Sequence, residues 1–406
     1  MLNHILPPDT QAILLLCASF GQNRQIEPQP LTLSEYNSLA DWLKEKQMRP
    51  ADLLEATAKE HLQKITIDKL NPNRLSALLE RGGMLGLAVE KWTNLGLWVL
   101  GRGDVNYPKR LKQILKHSAP AIIYGVGNIE LLSLGGLAIL GSRDIDEETV
   151  NYTQKIGRTC AEQAIQVISG GARGVDQAAM LSVLETGGTC IGVLADSLTK
   201  AAVNSKYRSS IKEGRLTLVS NYDPDAGFNA GNAMGRNKYI YALADYALVV
   251  NSSFGKGGTW AGAVEALSRI KDIPVFVRMN PNISEGNQQL YNQGAKPFPS
   301  EPWNNSLREL LKTCVSIVEQ VQTQKDKISE KTTSNSSKEI YEAVLPFILN
   351  HLQQPKDARS LAESLDVRLS QMQDWLNRAV LEGKVRKINK PVAYVTNQGA
   401  TQLSLL

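Results

Sequence analysis

Three glycine-rich segments each carry a cation between an apolar run and a helical stretch. They are 141–143 (GSR), 169–176 (SGGARGVD) and 252–259 (SSFGKGGT). Small residues let the backbone approach a ligand closely, and the free N–H groups at a helix start attract anions when Arg or Lys lies beside them. These segments therefore predict phosphate sites. Glycines at strand ends can also serve only a tight turn, and that alternative stays open for each loop.

A fourth segment, 227–238 (GFNAGNAMGRNK), places an aromatic residue near two cations. It precedes a predicted helix over YIYALAD. An aromatic ring such as Phe228 can stack on a base while Arg236 or Lys238 holds a backbone phosphate. In the alternative interpretation Phe228 packs in the core and Arg236 pairs with a carboxylate.

The sequence lacks the motifs of the common cofactor sites. No segment matches GxGxxG or GxxxxGK[ST], so NAD and ATP are poor ligand candidates. Cys17, Cys160, Cys190 and Cys314 form no CxxC and indicate neither zinc nor a disulfide framework. We expect no cofactor and no metal. The 45 Lys and Arg against 40 Asp and Glu give a net charge of +5, a mild excess compatible with a polyanionic partner.

The elements that must position these loops alternate between strand and helix from residue 93 to residue 321. Short apolar runs indicate strands; they are 136–142, 165–171, 189–196, 216–222, 246–253 and 273–279. Near-continuous apolar strands separated by helices predict a parallel sheet covered on both faces, a doubly wound α/β domain. Ligands bind such sheets at the carboxyl ends of the strands. Before this region, residues 1–92 show mainly helical periodicity.

The C-terminal quarter is predicted to be a separate domain. Residues 322–338 contain one large apolar residue, Ile328, among polar ones, which predicts a flexible linker. Residues 339–406 read as three helices followed by a strand-turn-strand, the order of a winged helix. Such a domain can contact DNA or a protein partner, and both interpretations stay open.

The four glycine and cation blocks, in this order, resemble the DNA-processing protein A family, the Smf-type recombination mediators. The family pattern is approximately G-[ST]-R, S-G-x-A-x-G-I-D, F-x-x-R-N-R and S-G-[ST]; here it reads GSR, SGGARGVD, MGRNK and GKGGT. The resemblance covers nearly the whole chain. It implies an extended Rossmann-like core, a SAM-like helical N-terminal domain and the C-terminal winged helix. Two departures are the loss of a His after Asp176 and an insertion between Phe228 and Arg236.

The resemblance carries over, at matched positions, a set of candidate residues for single-stranded DNA binding. They are Gly141, Ser142, Arg143, Ser169, Gly170, Arg173, Gly174, Phe228, Arg236, Asn237, Lys238, Lys256 and Gly257. The first three would hold a phosphate, and the next four would add backbone donors and a cation. The segment from Phe228 to Lys238 would form a base-stacking wall, and the last two would close the pocket. Asp176 is expected to cap its helix or tie down the loop.

The resemblance implies a non-enzymatic mediator of DNA recombination during natural transformation. Its implied partners are single-stranded DNA, the RecA recombinase and a second copy of the chain bound through the Rossmann-like core. No stretch approaches the ~18 apolar residues that cross a bilayer, so we expect a cytoplasmic protein without membrane contact.

Two other functions compete with this one. GKGGTWAGAVEAL partly resembles the signature of the lysine-decarboxylase-like nucleotide phosphoribohydrolases, in which Glu265 would be the acid/base and Arg236 the phosphate clamp. The spacing of that signature is wrong, and we expect Glu265 to be an ordinary helix residue. A core that has lost its ligand and acts as a scaffold is the third possibility.

Overall fold

A computed structural model describes most of the chain and divides it into two compact units. The described residues are 6–21, 28–63, 65, 67, 70–279, 283–303, 306–316, 341–342, 344–389 and 392–397. One unit spans Met1–Ser316 and the other Ile317–Leu406. The predicted linker at 322–338 lies outside the described residues.

The first unit is built on a nine-stranded sheet. Its strands are β1 Leu97–Gly101, β2 Ile122–Val126, β3 Leu137–Leu140, β4 Val167–Ser169, β5 Cys190–Val193, β6 Leu216–Ser220, β7 Tyr246–Val249, β8 Val275–Val277 and β9 Lys296–Pro297. They lie in the order β1-β2-β6-β5-β4-β3-β7-β8-β9. Strands β6 to β9 along this order are parallel, whereas β1 and β2 pair antiparallel at one edge. The predicted doubly wound α/β class is confirmed, with an antiparallel extension.

Both faces of the sheet are buried, as the apolar strand runs predict. Successive side chains of a strand point to opposite faces. Leu137 and Ile139 of β3 accordingly belong to one apolar cluster, and Ala138 and Leu140 to another. Helices cover each cluster, which is why the strands contain few polar residues.

The first unit has helices ahead of the sheet and between its strands. They are α1 Pro8–Cys17, α2 Leu33–Glu45, α3 Ala58–Leu62, α4 Pro72–Leu79, α5 Gly82–Asn94, α6 Lys109–Leu115, α7 Glu147–Glu162, α8 Val175–Glu185, α9 Leu198–Ala202, α10 Ser205–Lys212, α11 Ala230–Leu243, α12 Gly257–Arg269 and α13 Glu285–Asn292. Residues 307–316 are also helical. Short 3-10 turns span Pro50–Leu54, Lys116–Ser118 and Ile129–Ser133. No helix among these described residues is long and apolar enough to cross a membrane.

One helix differs from its prediction, because α11 begins nine residues before the predicted YIYALAD helix. The Asn229 side chain caps it by accepting hydrogen bonds from the N–H groups of Gly231 and Asn232. The early part of α11 contains two glycines, Gly231 and Gly235, and glycine is a poor helix former, so the sequence did not indicate this start. As a result Arg236, Asn237 and Lys238 lie on a helix rather than in the loop ahead of it.

The N-terminal helices pack on the same apolar cluster as the sheet. Leu14, Leu39 and Leu75, from α1, α2 and α4, share it with Tyr124 of β2. Residues 1–92 thus belong to the first compact unit. A division of this unit at residue 92 stays a prediction.

The second unit contains the predicted order of helices and strands. Residues 344–351 are helical and precede α14 Ala358–Ser364 and α15 Leu369–Leu381. Strands β10 Val385–Asn389 and β11 Val392–Thr396 then form an antiparallel pair. A small apolar core that includes Tyr341, Leu361 and Leu376 holds the unit together. Its assignment as a winged helix stays a prediction.

Candidate functional site

The predicted glycine-rich loops meet where the order of the sheet reverses. β3 lies between β4 and β7; the chain continues from β3 to β4 toward one edge of the sheet and from β7 to β8 toward the other. In doubly wound sheets this reversal opens a crevice at the carboxyl ends of the strands. The N–H of Ser142, after β3, donates to Asn251 Oδ1 after β7 at 2.9 Å. The Thr259 hydroxyl of α12 donates to the Gly141 carbonyl oxygen at 2.8 Å. The loops after β3 and β7 are therefore locked together.

A buried carboxylate ties down the remaining loop. Asp176 lies in the first turn of α8 and accepts a hydrogen bond from the Gly170 N–H at 3.1 Å. The N–H groups of Gly141 and Ala172 also stabilise its charge, as does the guanidinium of Arg236. Burial outweighs these contacts and raises the pKa of Asp176 to about 6. Asp176 is buried and holds the loops together by accepting hydrogen bonds from their N–H groups, in line with the expectation that it ties down the loop.

The glycines are required by close contacts beneath the loops. A Cβ at Gly170 would overlap the Arg236 guanidinium, and a Cβ at Gly174 would overlap the carbonyl oxygens of Ser142 and Arg143. Gly174 also has a φ of +87°, a conformation that residues with a side chain rarely adopt. Close packing by itself explains why Gly170 and Gly174 have no side chain. They let Arg236 and the loop after β3 approach the floor of the crevice.

Two adjoining clefts open above this floor. One has a volume of about 490 Å³ and the other of about 330 Å³. Both are lined by a common set of residues, namely Arg143, Ala172, Phe228, Ala233 and Arg236. Because these residues face both clefts, they form a shared wall and floor.

The shared wall consists of an exposed aromatic ring and a cation that lies over the ring. Phe228 is 58% exposed, which excludes the alternative that it packs in the core. The Arg143 guanidinium carbon lies 4.9 Å from the centre of the Phe228 ring. A guanidinium at this distance is attracted to the ring face. The pair presents a flat apolar surface and a positive charge at one point.

Arg236 and Asn237 occupy the floor because α11 turns them inward. Arg236 is 4% exposed, and its Nη1 donates to the Val193 carbonyl oxygen at 2.6 Å. Among the described residues no group accepts a hydrogen bond from its buried Nε. Burial lowers the pKa of Arg236, whereas the nearby charge of Asp176 raises it. Asn237 donates to the Gly258 carbonyl oxygen at 2.9 Å and joins α11 to α12.

The other predicted cations have different positions. Lys256 is exposed, directly precedes α12 and lines the larger cleft with Gly257. Arg173 lines the smaller cleft and forms an exposed ion pair with Asp144. Lys238 lies beside the ring of Tyr239, 5.2 Å from its centre.

The structure thus brings ten of the thirteen predicted residues to the two clefts. The described residues that line them do not include Ser169, Gly174 or Lys238. The Ser169 hydroxyl is buried and donates to the Ile139 carbonyl oxygen at 2.6 Å. Gly174 supports the loop from below.

Sequence reasoning missed two carboxylates and an apolar side chain at the clefts. Asp144 lines the larger cleft and Asp196 the smaller one, where they reduce the positive charge. Met234 is 47% exposed and lines the larger cleft. Asp144 directly follows Arg143 in the sequence, and this position could have indicated that it lies at the site. Asp196 and Met234 reach the site only through the packing of β5 and α11.

The fold and this crevice define a Rossmann-like α/β protein with a cation-rich site at the reversal of its sheet. The sequence model of the family described as DNA recombination-mediator protein A matches residues 98–308, which is more than half of the chain. The chain belongs to this family.

Several named proteins resemble this chain over part of their length. DNA processing protein DprA of Streptococcus pneumoniae is 27% identical over 197 residues, which are 48% of this chain and 68% of that protein. Protein Smf of Escherichia coli is 28% identical over 193 residues, 47% of this chain and 50% of the relative. Protein Smf of Synechocystis is 26% identical over 231 residues, 55% of this chain and 56% of the relative. This chain therefore spans between one half and about two thirds of these relatives.

The X-ray structure of DNA processing protein A from Streptococcus pneumoniae has a similar fold. It superposes with a TM-score of 0.55 at 18% sequence identity and covers 72% of this chain and 94% of that chain. This likeness supports the α/β architecture described above.

Proposed function

We propose that this chain binds single-stranded DNA in the two adjoining clefts and acts as a recombination mediator. The observation that carries the proposal is the Arg143–Phe228 pair on the wall shared by both clefts. An exposed ring stacks on an unpaired base, and an adjacent cation neutralises a phosphate. Duplex DNA cannot offer a base face to Phe228, so single strands should bind more tightly.

The rest of the site supports this proposal by its charge and its donors. Arg143, Arg236 and Lys256 line the larger cleft. Arg143 and Lys256 are exposed and can reach a phosphate, and charge-assisted hydrogen bonds of this kind are strong. Membership in a family of DNA recombination mediators favours DNA as the source of that phosphate.

The proposal also includes the cellular role of the chain, its protein partners and its domain division. We infer that the chain works in the cytoplasm without chemistry of its own, protects incoming DNA during natural transformation and loads RecA onto it. We also propose that it forms a homodimer through the Rossmann-like core and has the domain division 1–92, 93–321, 322–338 and 339–406. RecA loading would appear as faster RecA filament growth on protein-coated single strands when this chain is added, and light scattering would give the mass of the dimer.

The nucleotide phosphoribohydrolase alternative finds no support in the position of Glu265. This residue lies in the third turn of α12, and the described residues that line the two clefts do not include it. A general acid/base must lie within hydrogen-bond reach of the bond that it cleaves. No second function is proposed.

Fluorescence anisotropy of a labelled oligo-dT, with salt titrated, tests the proposed binding. We expect affinity that falls with salt and that an unlabelled duplex of the same length does not displace. Arg143→Gln should weaken binding. Arg158→Gln, which removes an exposed arginine toward the end of α7, is the matched control and should not. Failure of the wild-type chain to bind at low salt would refute the proposal.

A further inference from the structure

A second exposed aromatic ring stands beside the larger cleft, on the side of α12. Phe254 lies in the loop after β7 and is 47% exposed. Its neighbours in the chain, Ser253 and Lys256, line the larger cleft. Phe254 therefore adjoins the cleft along the chain, although the described residues that line the cleft do not include it.

The orientation of this ring is set by a neighbouring tryptophan. Phe254 and Trp260 have ring centres 5.1 Å apart and planes inclined by 88°, an edge-to-face pair. Such geometry is favourable and holds both rings in place. In an edge-to-face pair Trp260 can cover at most one face of Phe254. At least one face of the Phe254 ring is therefore not covered by Trp260, and another flat group can stack on it.

Charge and apolar surface connect Phe254 to the proposed DNA site. Lys256 is an exposed cation two residues further along the chain. Met234 is also exposed, and its Cγ lies 3.7 Å from the position that a Cβ on Gly258 would take, so it borders the first turn of α12. Phe228 and Met234 thus line the larger cleft, and Phe254 lies two residues before Lys256, which lines it too. Exposed apolar side chains grouped around cations suit unpaired bases better than a polar ligand.

We propose that Phe254 is a second base-stacking position, which seats a nucleotide next to the one held at Arg143 and Phe228. This inference rests on the proposed function. The strand would leave the larger cleft past Lys256, which would neutralise the intervening phosphate, and its next base would stack on Phe254. The edge-to-face contact makes Trp260 a positioning residue for that ring.

The test compares two ligands that have the same phosphates but differ in their bases. One is oligo-dT, and the other is an oligomer of abasic deoxyribose phosphate of the same length. Phe254→Ala should lower the affinity for oligo-dT by about tenfold, because stacking on an aromatic side chain contributes about 1.4 kcal/mol or more per base. The affinity for the abasic oligomer should change less than about twofold, since it has no base to stack. Phe254→Trp should restore the affinity for oligo-dT.

Two controls separate stacking from other effects. Leu87→Ala removes an exposed apolar side chain of α5 and should leave both affinities unchanged. Thermal unfolding of Phe254→Ala checks that the loop and α12 still fold. An equal loss for both ligands would mean that Phe254 only shapes the loop, and the inference would be overturned.

The inference and the proposed function fail in different ways. If the wild-type chain binds oligo-dT and Phe254→Ala binds it equally well, only the stacking position is refuted. A wild-type chain that binds neither oligomer refutes the proposed function itself. Retention of DNA binding with loss of self-association in Phe254→Ala, measured by light scattering, would assign the ring to a protein interface and overturn the inference.

Discussion

Arg143→Gln should make DNA binding less sensitive to salt. The Arg143 side chain is exposed and stands over Phe228 on the wall shared by both clefts. When a cation neutralises a phosphate of a single strand, counterions are released, and log Kobs falls with log salt by about 0.7 for each phosphate. Loss of one such contact should therefore make the slope shallower by about 0.7.

The magnitude follows from that slope. A rise in salt from about 50 mM to about 200 mM is fourfold, so the affinity ratio of wild type to variant should fall by a factor of about 2.6 over this range. At the low-salt end the variant should bind about tenfold more weakly, because a hydrogen bond to a charged group contributes about 1.5 kcal/mol. Both changes are large enough for an anisotropy titration.

The assay needs a partner variant that changes affinity without changing charge. Phe228→Leu removes the ring but no charge, so it should weaken binding by about 1–3 kcal/mol and leave the salt slope unchanged. Arg158→Gln removes one charge from an exposed position of α7 and corrects for the altered net charge. The thermal midpoints of all three variants should match wild type, because the altered side chains are exposed.

Two results would refute the reasoning. A slope for Arg143→Gln equal to that of wild type would mean that Arg143 contacts no phosphate. An equal change of slope in Arg158→Gln would mean that only the net charge matters.

Three further changes test the charges and the packing around the clefts. Asp144→Asn should raise the affinity for oligo-dT up to about fivefold at low salt, because it frees the exposed Arg173 from its ion pair and removes a negative charge. Burial raises the pKa of Asp176 to about 6, so its stabilising contribution is present below the unfolded value of about 4 and is lost as pH rises through 6. The unfolding free energy of wild type relative to Asp176→Asn, from urea titrations, should therefore fall by on the order of 2–3 kcal/mol between pH 4 and about 6.5. Gly174→Ala should destabilise the protein by at least about 2 kcal/mol more than Gly187→Ala, since both glycines have a φ of +87° but only the Cβ at Gly174 would overlap backbone oxygens.

Each of these predictions has an outcome that contradicts it. Unchanged affinity for Asp144→Asn would show that the ion pair does not compete with DNA. Parallel pH profiles for wild type and Asp176→Asn would exclude a raised pKa at this position. Equal thermal midpoints for the two glycine variants would mean that the loop after β3 moves away without cost.

Local patterns predicted the sheet because burial on both faces demands apolar residues at successive positions. The six predicted strands from β3 to β8 are all present, and α7 begins at Glu147. The capping side chain of Asp146 and the first-turn carboxylates make that start readable in the sequence. β2 and its antiparallel pairing with β1 and β6 were not predicted. The direction of a strand depends on partners that are distant along the chain.

The site was only partly predictable. Arg143, Phe228 and Lys256 reach the clefts because each lies in a loop that leads from a strand to the next helix, and such loops lie at the carboxyl edge of a doubly wound sheet. The role of Ser169 stays a prediction, although its hydroxyl is bound within the sheet. Arg236 and Lys238 differ by two residues, and the helical repeat of about 3.6 residues per turn turns one toward the floor and the other away.

The sequence by itself determined the class of the fold, the loops that carry cations and the resemblance to a family, because these depend on residues close together in the chain. Only the tertiary structure decided which side chains share a cleft. The contact between Arg143 and Phe228 joins residues that are far apart in the sequence, as does the burial of Asp176 beside Arg236. Such contacts arise when strand pairing brings the segments after β3, β4 and β6 together, and this long-range pairing leaves no trace in the residues near each loop.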